Sequence, residues 1–164
     1  MSGPRDRRGA TDRPNRSRRW VPGLETLESR STPAALYAVD VAPGSAPVVP
    51  VYDAGTQQQT LTINAYESTF TGGVDVAVAD VNGDGTPDII TGAGPGGGPV
   101  VKVFSGTDGS LLGSFTVGDS TSTAGVTVAA GDFENTGKAD IVVGTMQGGQ
   151  PLVEILRFAD QSVV

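Results

Sequence analysis

The chain has 164 residues, at the upper end of one domain and short for two. It contains no histidine and no cysteine, which excludes disulfides, zinc and haem sites, and nucleophilic mechanisms built on Cys–His or Ser–His. Glycine supplies 24 residues and aromatics only 5%, a composition of tight turns and small side chains rather than large helices.

Charge is divided unevenly along the chain. Residues 1–34 hold eight arginines and four acids, and residues 35–164 hold three bases and 14 acids. A basic leader therefore precedes an acidic body. A body so acidic argues against nucleic acid as a partner, because phosphates need Lys and Arg to replace their counterions. It suits a divalent cation.

Residues 1–20 are rich in Arg, Pro, Gly, Ser and Asp without apolar periodicity, and disorder is expected there. No run of 18 apolar residues occurs, so no membrane span is expected. An ordinary secretory apolar core is also missing. Ser17-Arg18-Arg19-Trp20-Val21 faintly suggests a twin-arginine signal, but Pro22 and the polar stretch Glu25–Glu28 interrupt it. Leu24-Glu25-Thr26-Leu27-Glu28-Ser29-Arg30-Ser31-Thr32-Pro33-Ala34 resembles the short leader near the start of many large surface proteins of planctomycete bacteria. That resemblance implies export.

The body repeats with an offset of 52. Gly73–Asp80 corresponds to Gly125–Asp132, Gly85 to Gly137, Asp88 to Asp140, Ile89-Ile90 to Ile141-Val142, Gly96-Gly97 to Gly148-Gly149, and Pro99 to Pro151. Pro47–Tyr52, Pro99–Phe104 and Pro151–Leu156 are three copies of one segment. Val74, Val76 and Val78 alternate with Asp75, Ala77 and Ala79, the period of a strand. One face is branched and the other small, so a second sheet can approach the small face closely. The pattern predicts strands at 74–79, 88–92, 99–105 and 111–117. The slot holding Pro50, Lys102 and Glu154 varies chemically, which predicts that it faces water.

Four short strands in some 40–50 residues is the blade of a β-propeller. The expected fold is all-β: tandem four-stranded antiparallel blades in a partial propeller behind a disordered N-terminal tail. The body splits into a partial blade at 35–72, a blade at 73–124 and a partial blade at 125–164, about two and a half blades. A closed ring needs four to eight. The expectation is either assembly with other copies through open strand edges or a fragment of a larger propeller protein.

Asp80-Val81-Asn82-Gly83-Asp84-Gly85-Thr86-Pro87-Asp88 carries oxygen side chains at positions 1, 3, 5 and 9 and glycine at position 6. Calcium takes six to eight oxygen ligands from flexible loops. Asp80, Asn82 and Asp84 can converge, the Thr86 carbonyl can donate, and Asp88 can close the site. A metal-free Asx-turn hairpin is the competing reading, although crowded carboxylates repel without a cation. An EF-hand needs Glu at position 12 and a following helix. Thr91 stands there instead, in a strand-like run, and a dockerin fails on the same grounds. The second loop, Asp132-Phe133-Glu134-Asn135-Thr136-Gly137-Lys138-Ala139-Asp140, offers Asp132, Glu134, Thr136 and Asp140, with the Lys138 ammonium expected nearby. It is compatible with a weaker site or with a metal-free turn.

The stretch from the Val/Ala strand through Asp80–Asp88 to Gly92-Ala93-Gly94-Pro95 resembles the FG-GAP (VCBS-type) repeat, the calcium-binding blade of integrin α-subunit propellers and of bacterial surface proteins. Gly96–Gly106 and Ala65–Gly73 share the bacterial form, while the Phe-Gly pair that names the family is absent. The resemblance implies calcium at Asp80, Asn82, Asp84, Thr86 and Asp88, and in part at Asp132, Glu134, Thr136 and Asp140.

Gly92-x-Gly94-x-x-Gly97 matches a dinucleotide pattern, but a strand rather than a helix follows it. Asp84 and Asp88 as a glycosidase pair would lack an aromatic platform. The expectation is a non-catalytic, exported calcium-binding structural or adhesion module at the cell surface, with a protein or glycan partner. A calcium-dependent carbohydrate-binding module is the alternative, and it would need exposed aromatics at Tyr66, Phe70 or Phe133.

Overall fold

The structure, a computed structural model, describes residues 35–145 and 151–164. The basic leader with its export-type motif, and Gly148-Gly149 of the repeat, lie outside the described residues. Ten strands follow in order: β1 Leu36–Ala38, β2 Val48–Asp53, β3 Gln59–Asn64, β4 Val74–Ala79, β5 Asp88–Ala93, β6 Val100–Phe104, β7 Leu111–Thr116, β8 Val126–Gly131, β9 Asp140–Thr145 and β10 Val153–Leu156. No helix occurs among the described residues. The four strands predicted in the central copy are found within about one residue at each end, the usual spread of strand boundaries.

All ladders are antiparallel. They form a first sheet β1-β2-β3, a middle sheet β4-β5-β6-β7 and a third sheet ordered β10-β9-β8, and no barrel closes. The repeat appears in the registers. Ala79 pairs with Asp88 and Gly131 with Asp140, and the two ladder irregularities, at Val51/Tyr52 and Val103/Phe104, are equivalent positions.

Two buried layers hold the sheets together, and they are the same layer repeated. Between the first and middle sheets, Val49, Val51, Ile63 and Ala65 meet Val74, Ile89 and Phe104. Between the middle and third sheets, Val101, Val103, Phe115 and Val117 meet Val126, Ile141 and Leu156. Each residue of the second set stands 52 positions after its counterpart in the first. Each of the largest side chains, fully buried, contributes about 1.5–3 kcal/mol. The small face of β4 admits the third sheet as expected. Ala77 packs into that layer, and a Cβ on Gly92 would come within 2.9 Å of the Val126 carbonyl oxygen.

The Pro50, Lys102 and Glu154 slot departs from expectation: Lys102 does not face water. Its ammonium donates to the Ala65 carbonyl at 2.9 Å and lies 4.8 Å from the centre of the Tyr66 ring. Pro50, Lys102 and Glu154 are all half-buried.

Two carboxylates guard outward-facing strand edges. The N–H of Val76 donates to Asp40 at 2.9 Å, and the N–H of Val128, its repeat equivalent, donates to Asp75 at 2.5 Å. An edge N–H already bonded to a carboxylate is a poor template for a foreign strand. Burial pushes the Asp75 carboxyl up, the Val128 N–H opposes this, and the Asp40 charge adds to the rise.

Candidate functional site

The first loop leaves β4 at Asp80 and re-enters the sheet at Asp88 on β5. Its turns are built from side-chain acceptors. Asp80 takes the N–H groups of Gly83 at 2.6 Å and Gly85 at 2.9 Å, one on each carboxylate oxygen. Both glycines sit at φ +86°, a backbone that residues with a Cβ rarely adopt. Asn82 Oδ1 accepts the Asp84 N–H, and Asp84 Oδ1 accepts the Thr86 N–H, both at 2.7 Å.

Three of the predicted residues then meet. The Asn82 amide nitrogen donates to Asp84 Oδ2 at 3.0 Å and to Asp88 Oδ1 at 3.4 Å. Two carboxylates therefore face one common point. Asp80 is instead engaged with the backbone of the turn, and among the described residues no three acidic side chains form a group arranged to hold a metal. Asp84 and Asp88 offer this point carboxylate oxygens, the hard donors that calcium prefers, while Asn82 turns its amide nitrogen to them and its oxygen to the Asp84 N–H. Asp84 is exposed, and the Thr86 N–H and the Asn82 amide hold its carboxyl below the usual range. Asp88 is fully buried. Burial pushes its carboxyl up, against bonds from the N–H groups of Val81 and Gly106, and the Asp84 charge adds to the rise.

The second loop repeats this scaffold with different side chains. Asp132 accepts the N–H groups of Thr136 at 2.9 Å and Gly137 at 2.8 Å. Asp140 accepts the Phe133 N–H at 3.2 Å, as Asp88 accepts that of Val81 at the same distance. Glu134 differs. Arg157, beyond β10, grips it with two nitrogens, Nη2 lying 2.6 Å from Oε1. This contact holds the Glu134 carboxyl below its usual range. Arg157 also donates to Ser162 Oγ at 2.9 Å. Nothing local in the sequence signals the pair, since 23 residues separate its members.

Lys138 takes a role that its position in the second loop does not announce. Its side chain lies over the first loop, so that a Cβ on Gly83 would fall 2.5 Å from Lys138 Cε. The adjacent Ala139 N–H donates to the Asp80 carbonyl at 2.8 Å. The two loops are thus in contact. A cleft of about 210 Å³ beside them is lined by Val81, Glu134, Lys138, Asp140, Arg157 and Phe158 among others. A larger hollow of about 320 Å³, at Asp40, Pro43, Gly72, Asp75 and Pro95, lies away from both loops.

Of the aromatics a sugar platform would need, Tyr66 hydrogen-bonds the Thr91 and Val100 carbonyls and packs edge-on against Phe70. Only Phe133 is exposed.

Comparison with curated proteins and with solved structures finds no match. Residues 72–109, which carry β4, the first loop, β5 and β6, match the family model of the FG-GAP repeat, in agreement with a β-propeller-like module.

Proposed function

We propose that the chain is a non-catalytic calcium-binding structural or adhesion module, exported to the cell surface, where it meets a protein or a glycan. The observation that carries the calcium reading is the convergence of Asp84 and Asp88 on the single Asn82 amide nitrogen. Asp80, Asn82, Asp84, Thr86 and Asp88 of the first loop would hold the ion. At the second loop the Arg157 guanidinium already neutralises Glu134, so any site there, with Asp132, Thr136 and Asp140, is the weaker one. The match to the FG-GAP repeat over residues 72–109 supports the extracellular setting.

Calcium that binds the folded loop and not the unfolded chain stabilises by RT ln(1 + [Ca]/Kd). With Kd on the order of 10⁻⁴–10⁻³ M, usual for extracellular modules, about 1 mM calcium adds roughly 0.4–1.4 kcal/mol. The expected result is a Tm that rises by a few degrees from EDTA to millimolar calcium, and does not rise in Asp84→Asn. A wild-type Tm indifferent to calcium would sink the reading.

A further inference from the structure

We propose that the chain binds a second copy of itself head to tail, the outer face of the first sheet in one copy lying on the outer face of the third sheet in the other. The two internal layers are one interface used twice, and among the described residues one half of that interface is left uncovered on the first sheet and the other half on the third. On the first sheet the free half is Tyr37, Val39, Val48 and Tyr52. These are the repeat equivalents of Ile89, Thr91, Val100 and Phe104, which the middle sheet turns toward the first. On the third sheet it is Ala129, Val142, Val153 and Ile155. These are the equivalents of Ala77, Ile90, Val101 and Val103, which the middle sheet turns toward the third.

The named residues of both faces are apolar and uncharged in a body that is otherwise strongly acidic, with exposed but neutral Thr62 and Asn64 beside them on the first sheet and Thr127 on the third, so copies can approach there without charge repulsion. Val153 is 73% exposed although its equivalent Val101 is fully buried. Tyr37 is 40% exposed, stacked on Tyr52 with ring centres 5.1 Å apart, where its equivalent Ile89 is fully buried. Contiguous apolar surface of this kind marks an interaction site. The occupant must offer the opposite half of the same interface, and a second copy carries it. The proposed contact continues the existing stack and uses sheet faces rather than strand edges. Because two different patches meet, the interface is heterologous, and it closes into a ring or runs on as a filament. Two copies supply about five blades, within the four to eight of closed propellers.

Light scattering of the full chain across the micromolar range tests this, in EDTA and in calcium. The expected result is a mass of two or more chains in both buffers, which separates this proposal from the calcium reading. Tyr37→Arg and Val153→Arg alter exposed side chains, so each should keep the wild-type Tm yet be monomeric. Their equimolar mixture should recover a one-to-one dimer, because each variant retains the face the other has lost. A wild-type monomer in both buffers overturns the proposal. So does association that survives Val153→Arg, which would indicate edge pairing or contact between two first sheets, and so does a mixture that stays monomeric.

Discussion

Asp88 braces the fold through its backbone contacts, and Asp88→Ala separates that role from the proposed metal binding. The fully buried carboxylate accepts the N–H groups of Val81 and Gly106, and both residues are themselves buried. Truncation leaves both donors without a partner, at about 1–3 kcal/mol each. Relief from burying the carboxylate offsets part of this, leaving a net loss of about 2–4 kcal/mol. For a body of this size that lowers Tm by roughly 6–16 °C. Thermal unfolding followed by far-UV circular dichroism in EDTA reads the effect without calcium. Asp84→Ala serves as the control. Asp84 is exposed and its partner Thr86 remains accessible to water, so its Tm in EDTA should stay near wild type. If Asp88→Ala melts within about 2 °C of wild type in EDTA, the buried carboxylate does not satisfy those donors and the reasoning fails.

Gly92→Val should destabilise by about 1–3 kcal/mol, because its side chain would press into the Val126 carbonyl and the Val128 side chain between two sheets. Urea unfolding measures it, and an unchanged midpoint would place the third sheet farther from β5 than described. Acid should act with two signs. Asp132 and Glu134 titrate below their unfolded values of 3.8 and 4.5, so their stabilisation is present above those values and fades as pH falls through the folded ones. Asp88 titrates above 3.8, so its protonation favours the fold: the contribution is present below 3.8 and is lost as pH rises through the folded value. The Tm advantage of wild type over Asp88→Asn should therefore grow on going from about pH 6 to about pH 3.5, and a constant gap would refute the sign.

The architecture was legible because a strand repeat writes the same face pattern into every copy. Val74, Val76 and Val78 disclose a period of two, and the offset of 52 discloses which residues share a layer. The first loop was legible because Asx turns are local: Asp80, Asn82 and Asp84 each bond backbone within five residues. What escaped depends on residues brought together across sheets. Lys102 reads as a surface cation until Tyr66 and the Ala65 carbonyl are placed beneath it. Arg157 has no local tie to Glu134, and the placement of Lys138 over Gly83 needs the third sheet to be docked on the middle one.

These cross-sheet contacts give the two loops different electrostatic ends on one backbone scaffold. The closing aspartates accept equivalent N–H groups and the opening aspartates brace equivalent glycines, so the scaffold itself does not decide what neutralises the acids. The second loop receives a guanidinium from its own chain, which arrives bidentate and permanently charged. In the first loop only the neutral Asn82 amide bridges Asp84 and Asp88, and the Lys138 chain passes over Gly83 without an ion pair to either carboxylate. On the proposed calcium reading, a cation would therefore gain more at the first loop than at the second, where it would have to displace Arg157 before reaching Glu134.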